Sequence, residues 1–300
     1  MINWNGVFPA ITTKFTADGS LDLDLFLHNI DAQLAAGVHG LILGGTLGES
    51  ATLKEDEKIT ITKACLNHVN GKVPVILNIA EASTSIACDW ARKAEDLGAQ
   101  GLMLLPPMRY NADHREVVAF FKAIANSTSL PIMIYNNPVD YKIEVTLEMF
   151  DELIELENIQ AVKESTRDIS NVTRMINRYG DRIKILCGVD TLAMECLLMG
   201  AHGWVAGLVC AFPRETVVIY ELIKQVRIAE ALEVYRWFLP LLELDIHPKL
   251  VQYIKLAEEA VGIGSEHVRA PRLALIGKER EDVLAVIANG LKNRPILPKI

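Results

Sequence analysis

The sequence predicts an α/β fold, a (β/α)8 TIM barrel with a C-terminal helical extension. Eight short apolar segments alternate with longer amphipathic segments through residue 225. The apolar segments are rich in leucine and β-branched residues without strict alternation, which is typical of parallel strands buried on both faces. A doubly wound open sheet is the alternative, but no glycine-rich dinucleotide turn follows the first strand.

The eight apolar segments are the predicted strands. They cover residues 7–12, 40–43, 73–78, 101–105, 132–135, 159–163, 183–188 and 203–206. Turn residues or helical patterns separate each strand from the next. Successive strands are therefore expected to be parallel, each pair connected through a helix.

Helical periodicity predicts one helix after each strand. These helices cover residues 23–36, 55–70, 83–97, 113–125, 146–156, 169–179, 191–198 and 213–225. Glycine closes several of them, at Gly37, Gly98, Gly180 and Gly200. Glycine is favoured there because the residue after a helix often adopts a left-handed conformation.

Beyond residue 225 the predicted strands stop and only helical patterns continue. They cover residues 228–244, 249–261 and 280–292, with a predicted break at residues 245–248. No Gly/Ser-rich linker precedes them. Residues 1–225 are therefore predicted to form the catalytic barrel, and residues 226–300 a helical extension packed on it.

Composition and charge argue against several classes of protein. A net charge of −8 without a basic cluster argues against a nucleic-acid partner. No run of about 18 apolar residues is present, and no basic and apolar leader opens the sequence, so neither a membrane span nor a signal peptide is predicted. The five cysteines are scattered and lack metal-ligand spacing, which predicts free thiols. We expect a cytoplasmic protein.

Lys163 is the leading catalytic candidate because it closes the buried sixth strand. Burial disfavours the ammonium form of lysine and leaves more free amine. A free amine can attack a carbonyl carbon to form a Schiff base. A lysine at a strand end is more often a solvated or ion-paired cap, so the neighbouring strand ends decide between the two interpretations.

Three other strand ends carry polar or glycine-rich segments. Residues 44–49 read Gly-Gly-Thr-Leu-Gly-Glu, a turn whose backbone N–H groups can hold a carboxylate and whose Thr46 adds a hydroxyl. Tyr135 closes the fifth strand and could relay protons. Gly188 closes the seventh strand. The structural alternatives are a helix-capping turn at residues 44–49 and a tyrosine of the hydrophobic core at position 135.

Together these residues resemble the pyruvate-dependent class I aldolase family, which includes dihydrodipicolinate synthase and N-acetylneuraminate lyase. The matching features follow one another in the expected order on matching strands. They are the turn at residues 44–49, the motif Tyr-Asn-x-Pro at 135–138, Lys163, Gly188 with Asp190, and the strand that begins at Gly203. The resemblance covers the whole barrel.

The resemblance implies a role for each matching residue. Lys163 would attack the C2 carbonyl of a pyruvate-like 2-oxo acid, with Tyr135 as proton relay. Thr46 and the backbone of residues 45–47 would hold the substrate carboxylate. The substrate-binding residues would also include Gly45, Leu47, Gly188 and Val205. The resemblance also implies a homodimer or homotetramer, and the chemistry needs neither a cofactor nor a metal because a protonated imine is itself an electron sink.

Three positions depart from the pattern of dihydrodipicolinate synthase. Leu47 stands where the family turn usually has a second hydroxyl. Asp140 stands where the synthase has an arginine, which reverses the charge expected to hold a second carboxylate. Arg109 aligns with the synthase's second relay tyrosine, although a shift of one residue would place Tyr110 there. Lysine biosynthesis is therefore doubtful.

Several functions remain open within this resemblance. The enzyme would cleave, condense, dehydrate or deaminate a small 2-oxo acid through a lysine imine. Short motifs at residues 188–191, 213–215 and 250–255 are similar to pyrroline-4-hydroxy-2-carboxylate deaminases of hydroxyproline breakdown. A 2-keto-3-deoxy sugar-acid aldolase or dehydratase is a further alternative. From a different class, a non-catalytic 2-oxo acid sensor would explain the missing hydroxyl and arginine.

Overall fold

Eight parallel strands form the centre of the molecule, and the computed structural model describes residues 2–300. The strands lie in the order β1-β8-β7-β6-β5-β4-β3-β2. A parallel bridge between Ala10 and Ile42 joins the two edges, so the sheet closes into a barrel. The strands are β1 (Gly6–Pro9), β2 (Leu41–Leu43), β3 (Val75–Ile79), β4 (Gly101–Leu104), β5 (Ile132–Asn136), β6 (Ile159–Glu164), β7 (Lys184–Cys187) and β8 (Gly203–Ala206). The predicted (β/α)8 barrel is confirmed.

Helices surround the barrel and cover its strands. Around it lie α1 (Leu23–Ala36), α2 (Glu55–Val69), α3 (Thr84–Leu97), α4 (His114–Ala125), α5 (Pro138–Tyr141), α6 (Leu147–Leu153), α7 (Ser170–Tyr179), α8 (Ala193–Leu198) and α9 (Pro213–Lys224). The strand residues are almost all buried, as expected for a sheet covered by helices outside and filled by side chains inside.

The first strand and the sixth helix end earlier than predicted. Strand β1 stops at Pro9 because the following residues turn towards the β2 loop and the extension. Thr13 Oγ1 donates to the Gly48 carbonyl at 2.6 Å, and Lys14 Nζ lies 3.0 Å from Glu258 Oε1. Helix α6 ends at Leu153, three residues before its predicted end.

The short helix α5 was not predicted. It begins after Asn137, whose side-chain oxygen accepts from the Asp140 N–H at 3.2 Å. Pro138 occupies the first turn, where its missing N–H costs nothing. This single turn of helix carries Asp140 and Tyr141 over the barrel opening.

The C-terminal extension contains α10 (Ile228–Leu242), α11 (Leu250–Ala260) and α12 (Gly277–Lys292). A 3-10 turn, Glu243–Ile246, lies between α10 and α11. This turn brings the chain back over the barrel opening, so the extension contributes to the cavity there. The boundary at residue 225 stays a prediction. Between residues 2 and 300, every helix is too short or too polar to traverse a lipid bilayer.

A buried ion pair joins the extension to the loop after β2. Lys255 Nζ of α11 lies 2.6 Å from Glu49 Oε1, and both side chains are fully buried. Glu49 Oε2 also accepts from the Arg269 N–H at 3.0 Å. Removing one partner of such a pair typically costs about 3–5 kcal/mol because the other charge stays buried and unpaired. The extension therefore fixes the loop that follows β2.

Candidate active site

A cavity of about 490 Å³ lies at the C-terminal ends of the strands. Every strand contributes to its wall, as expected for the functional face of a (β/α)8 barrel. Helix α5 and the turn between α10 and α11 complete the wall. The strand-end residues in the wall are Ala10, Gly45, Thr46, Leu47, Asn78, Met103, Leu105, Tyr135, Lys163, Gly188 and Val205.

Lys163 and Tyr135 are direct neighbours in the sheet. They are paired in register across β5 and β6, so their side chains point to the same face. Lys163 Nζ lies 4.1 Å from the centroid of the Tyr135 ring. Burial lowers the pKa of Lys163, while the nearby Tyr141 and Asp245 act in the opposite direction. The structure therefore brings together the two residues that the sequence placed on adjacent strand ends.

Gly188 gives the Lys163 side chain its space. A Cβ atom at position 188 would lie 2.6 Å from Cγ and 2.7 Å from Cε of Lys163. It would also lie 2.2 Å from Ser165 Oγ. A side chain there would displace the lysine, since real Cβ contacts are longer. The glycine predicted to bind substrate thus lines the cavity and sets the position of the amine.

We expect Gly188→Ala to slow Schiff-base formation about 10²-fold, because a displacement of roughly 1 Å can cost that much. The measurement is the rate at which borohydride traps pyruvate on Lys163. The thermal midpoint is recorded in parallel to separate misplacement from unfolding. Trapping at the wild-type rate would show that the lysine does not depend on this space.

The loop after β2 offers backbone donors to the cavity. The N–H groups of Gly45, Thr46 and Leu47 have no acceptor among residues 2–300. Asn78 Nδ2 holds the loop by donating to the Gly44 carbonyl at 3.0 Å. Leu47 is buried and adds no hydroxyl. Unpaired N–H groups at such a turn can bind a carboxylate, as the sequence predicted for this segment.

Tyr141 is a second phenol in the cavity wall, on α5. Its hydroxyl lies 2.9 Å from Thr46 Oγ1, and its ring packs edge-on against Tyr135 with centroids 5.5 Å apart. Burial raises the pKa of both Tyr135 and Tyr141 to about 12. Both phenols are therefore protonated at neutral pH and able to donate. Thr46, Tyr141 and Tyr135 form a polar edge beside Lys163, in which Thr46 and Tyr141 are hydrogen-bonded and the two phenol rings are in contact.

Asn137 organises this edge. Its Nδ2 atom donates to the Tyr135 hydroxyl at 3.1 Å and to Asp140 Oδ2 at 2.7 Å. The Asn137 amide thus orients two groups, the Tyr135 hydroxyl beside Lys163 and the Asp140 carboxylate. Asp140 itself lines the cavity, so the reversed charge predicted from the sequence faces the space where substrate would bind.

Arg109 and Tyr110 do not reach this cavity. Both lie exposed on the loop after β4, and Tyr110 is 55% exposed. Pro106 and Pro107 follow β4 after one residue, Leu105, and proline cannot continue strand pairing, so the chain leaves the barrel there. The cavity of this chain is lined by Tyr141 instead, and a substrate-binding role for Arg109 or Tyr110 stays a prediction.

Tyr141 and Asp245 are among the cavity residues that sequence reasoning missed. The signal for Tyr141 was the Asn-Pro-x-Asp sequence at 137–140, a helix start that turns the following residue back over the barrel. The signal for Asp245 was a polar break between two apolar helices. That break was interpreted only as a helix end, although it covers the opening of the barrel.

The arrangement provides the parts of an imine-forming site. It contains a buried amine, two protonated phenols, a hydroxyl and free backbone donors. Residues 2–300 include no group of three His, Cys, Asp or Glu side chains placed to hold a metal ion. What these groups can do directly is bind a carboxylate, attack a carbonyl and move protons.

Comparisons with known proteins agree with this geometry. The model of the dihydrodipicolinate synthetase family matches residues 3–289. The chain is 32% identical over 276 residues to the 4-hydroxy-tetrahydrodipicolinate synthase of Exiguobacterium sibiricum. This match covers 91% of the chain and 92% of that protein. The chain is also 32% identical over 282 residues to the enzyme of that name from Methanothrix thermoacetophila, covering 93% and 94%.

A solved structure shows the same likeness in three dimensions. The dihydrodipicolinate synthase of Bacillus anthracis superposes with a TM-score of 0.93 at 26% sequence identity. The match covers 99% of this chain and 100% of the Bacillus anthracis chain. The barrel and its extension are therefore shared as one unit with this relative.

Proposed function

The chain belongs to the dihydrodipicolinate synthetase family, and on that premise we propose that it is a lyase that holds a small 2-oxo acid as a Schiff base on Lys163. The observation that carries the proposal is the placement of Lys163, a side chain only 8% exposed, next to Tyr135 in the barrel cavity. A desolvated amine beside a protonated phenol has both the nucleophile and the proton donor that imine formation needs.

The carboxylate of the substrate would bind the loop after β2. The free N–H groups of Gly45, Thr46 and Leu47 supply donors for its oxygens. The adjacent C2 carbonyl would then face Lys163, since both groups line one cavity. The loop orients the substrate, and the lysine attacks it.

Imine formation requires proton transfers at nitrogen and oxygen. Lys163 adds to C2 to give a carbinolamine, and the C2 oxygen must be protonated before it leaves as water. Tyr135 is the phenol beside Lys163, and the hydrogen-bonded hydroxyls of Thr46 and Tyr141 are further proton donors in the same cavity. The resulting protonated imine withdraws electrons, so a proton can be removed from C3 to give an enamine.

The far side of the cavity disfavours a substrate with a second carboxylate. Asp140 lines it, and its carboxylate would repel a second carboxylate placed beside it. We therefore favour dehydration or deamination over the reaction for which the synthase relatives are named. A hydroxylated pyrroline carboxylate, the substrate of a pyrroline-4-hydroxy-2-carboxylate deaminase, has only one carboxylate and fits this distribution of charge better.

The proposal is tested by reducing the protein with borohydride in the presence of pyruvate. We expect one reduced pyruvate attached to Lys163, located by mass spectrometry of the peptide that contains it. Controls omit pyruvate or borohydride. Absence of the adduct, combined with reversible binding of pyruvate, would favour the non-catalytic sensor. Assembly as a homodimer or homotetramer stays a prediction, tested by sedimentation.

A further inference from the structure

We propose that Asp245 is the general acid that protonates a hydroxyl group leaving C4 of the Schiff-base intermediate. The substrate class is then a 2-oxo acid, or its cyclic imine, with a hydroxyl on C4. This inference rests on the proposed function, because it acts on an imine already formed at Lys163. Asp245, a residue of the C-terminal extension, would then determine whether the intermediate loses water or breaks a carbon–carbon bond.

The position of Asp245 is set by the end of β8. The 3-10 turn between α10 and α11 brings Asp245 into the wall of the cavity that contains Lys163. A Cβ atom on Gly207 would lie 2.0 Å from Asp245 Oδ1. The chain can therefore place this carboxyl group here only because residue 207 has no side chain.

The Asp245 carboxyl group is free to bind a ligand. The neighbouring Asp190 is fully buried and accepts hydrogen bonds from Trp204 Nε1 and from the N–H groups of Gly207 and Leu208. Within residues 2–300 no such donor reaches the oxygens of Asp245. Asp190 thus acts as a structural anchor of the β8 loop, whereas Asp245 is only half-buried and faces the cavity.

The surroundings of Asp245 favour its protonated form. Burial raises the pKa of Asp245 well above its usual range; Asp190 and Asp140 add to this, and Lys163 opposes it. The other titratable groups of the same cavity wall are Tyr135, Tyr141, Arg167 and His247. Arg167 is exposed, so solvent screens its charge. A protonated carboxyl group can donate a proton, which is what a leaving hydroxyl requires.

The proposed step is an elimination. The enamine on Lys163 pushes its electrons from nitrogen through C2 and C3 while the bond between C4 and oxygen breaks. The departing oxygen takes the proton of Asp245 and leaves as water. A double bond between C3 and C4, conjugated with the iminium group, remains, and Asp245 is left as a carboxylate. Solvent at the cavity opening restores its proton, and no oxidant or reductant is needed.

Aldol cleavage requires the opposite proton movement. Breaking the bond between C3 and C4 turns the C4 hydroxyl into a carbonyl, so a base must remove its proton. The protonated form of Asp245, which the proposed elimination uses, cannot do so. The environment of Asp245 therefore favours loss of water over carbon–carbon cleavage.

The test compares wild-type protein with Asp245→Asn on two kinds of compound. Pyruvate has no group on C4 and reports only imine formation and exchange of C3 protons with D2O, followed by NMR. Pyrroline-4-hydroxy-2-carboxylate and 2-keto-3-deoxygluconate have the hydroxyl, and loss of water from them is followed by NMR and mass spectrometry. Glu281→Gln, which removes an exposed carboxylate on α12, is the matched control.

We expect wild-type protein to eliminate water from at least one hydroxylated compound. In Asp245→Asn the ratio of elimination to pyruvate exchange should fall about 10²-fold or more, while the Glu281→Gln ratio stays unchanged. An unchanged ratio in Asp245→Asn would overturn the proposal, as would parallel loss of both reactions, which indicates a structural role. Wild-type exchange without elimination from either compound would also overturn it. Failure of the proposed function differs, because wild-type protein would then give neither an adduct nor exchange.

The pH profile gives a second readout. If protonated Asp245 is the acid, elimination should be fast below the pKa of this group and decline as pH rises through it. In Asp245→Asn that decline should disappear, since asparagine does not titrate. The same decline in the variant would assign it to another group and overturn the role of Asp245.

Discussion

Replacing Lys163 by alanine is expected to lower turnover about 10⁴-fold or more and to abolish the pyruvate adduct. In the proposed mechanism the amine provides the covalent bond, and no other lysine lines the cavity of residues 2–300. Loops and phenols that remain can bind the 2-oxo acid, but they cannot convert its ketone into an electron sink. The measurements are steady-state turnover of a 4-hydroxylated substrate and mass analysis after borohydride reduction.

Lys63→Ala is the matched control for this variant. Lys63 is exposed on α2, outside the cavity, so its loss should leave turnover and adduct at wild-type values. Thermal unfolding of both variants shows whether the barrel is intact. Substantial turnover by folded Lys163→Ala protein would refute the Schiff-base mechanism.

Tyr135→Phe is expected to slow catalysis about 10²–10³-fold, within the usual range for loss of a proton-transfer group. The ring remains beside Lys163, so packing is kept while the hydroxyl held by Asn137 is lost. Tyr141 is hydrogen-bonded to Thr46 and is expected to replace Tyr135 in only part of the proton transfer. The expected loss is therefore smaller than for Lys163→Ala. The measurement is the rate of C3 proton exchange of pyruvate.

The control for this loss is Tyr220→Phe. The Tyr220 hydroxyl donates to the His202 carbonyl at 3.2 Å, just before β8 begins and thus at the opposite end of the barrel. Its removal should lower stability slightly without affecting exchange. Equal effects of the two substitutions would mean that Tyr135 has only a structural role.

The barrel could be predicted because the sequence repeats one pattern eight times. Apolar strands and amphipathic helices alternate in the same order as in the structure. Differences occur where local patterns and tertiary contacts compete, as at the end of β1. There, Thr13 and Lys14 bond to the β2 loop and to α11 instead of extending the strand.

The adjacency of Lys163 and Tyr135 could also be predicted, because strand ends meet at one edge of a parallel barrel. Lys163 and Tyr135 end neighbouring strands, and the structure pairs them in register. Gly188 and Val205 likewise line the cavity from the next two strands. For residues on strands, position in the sequence determines which side chains share the cavity.

Loop residues could not be predicted in this way. The direction of a loop depends on where its caps and prolines turn the chain. Helix α5 turns Tyr141 inward, whereas the prolines after β4 lead Arg109 and Tyr110 outward. Asp245 lies far along the chain from the strands it faces, so no local pattern revealed its place.

The ion pair between Glu49 and Lys255 bears on how the protein is made. These residues are 206 positions apart, yet each neutralises the other in the dry interior. While the ribosome is still adding the last helices, a growing chain can hold all eight strands and still contain Glu49 without its cation. We therefore expect the loop after β2 to become fixed only once α11 has been synthesised and can pack on the barrel.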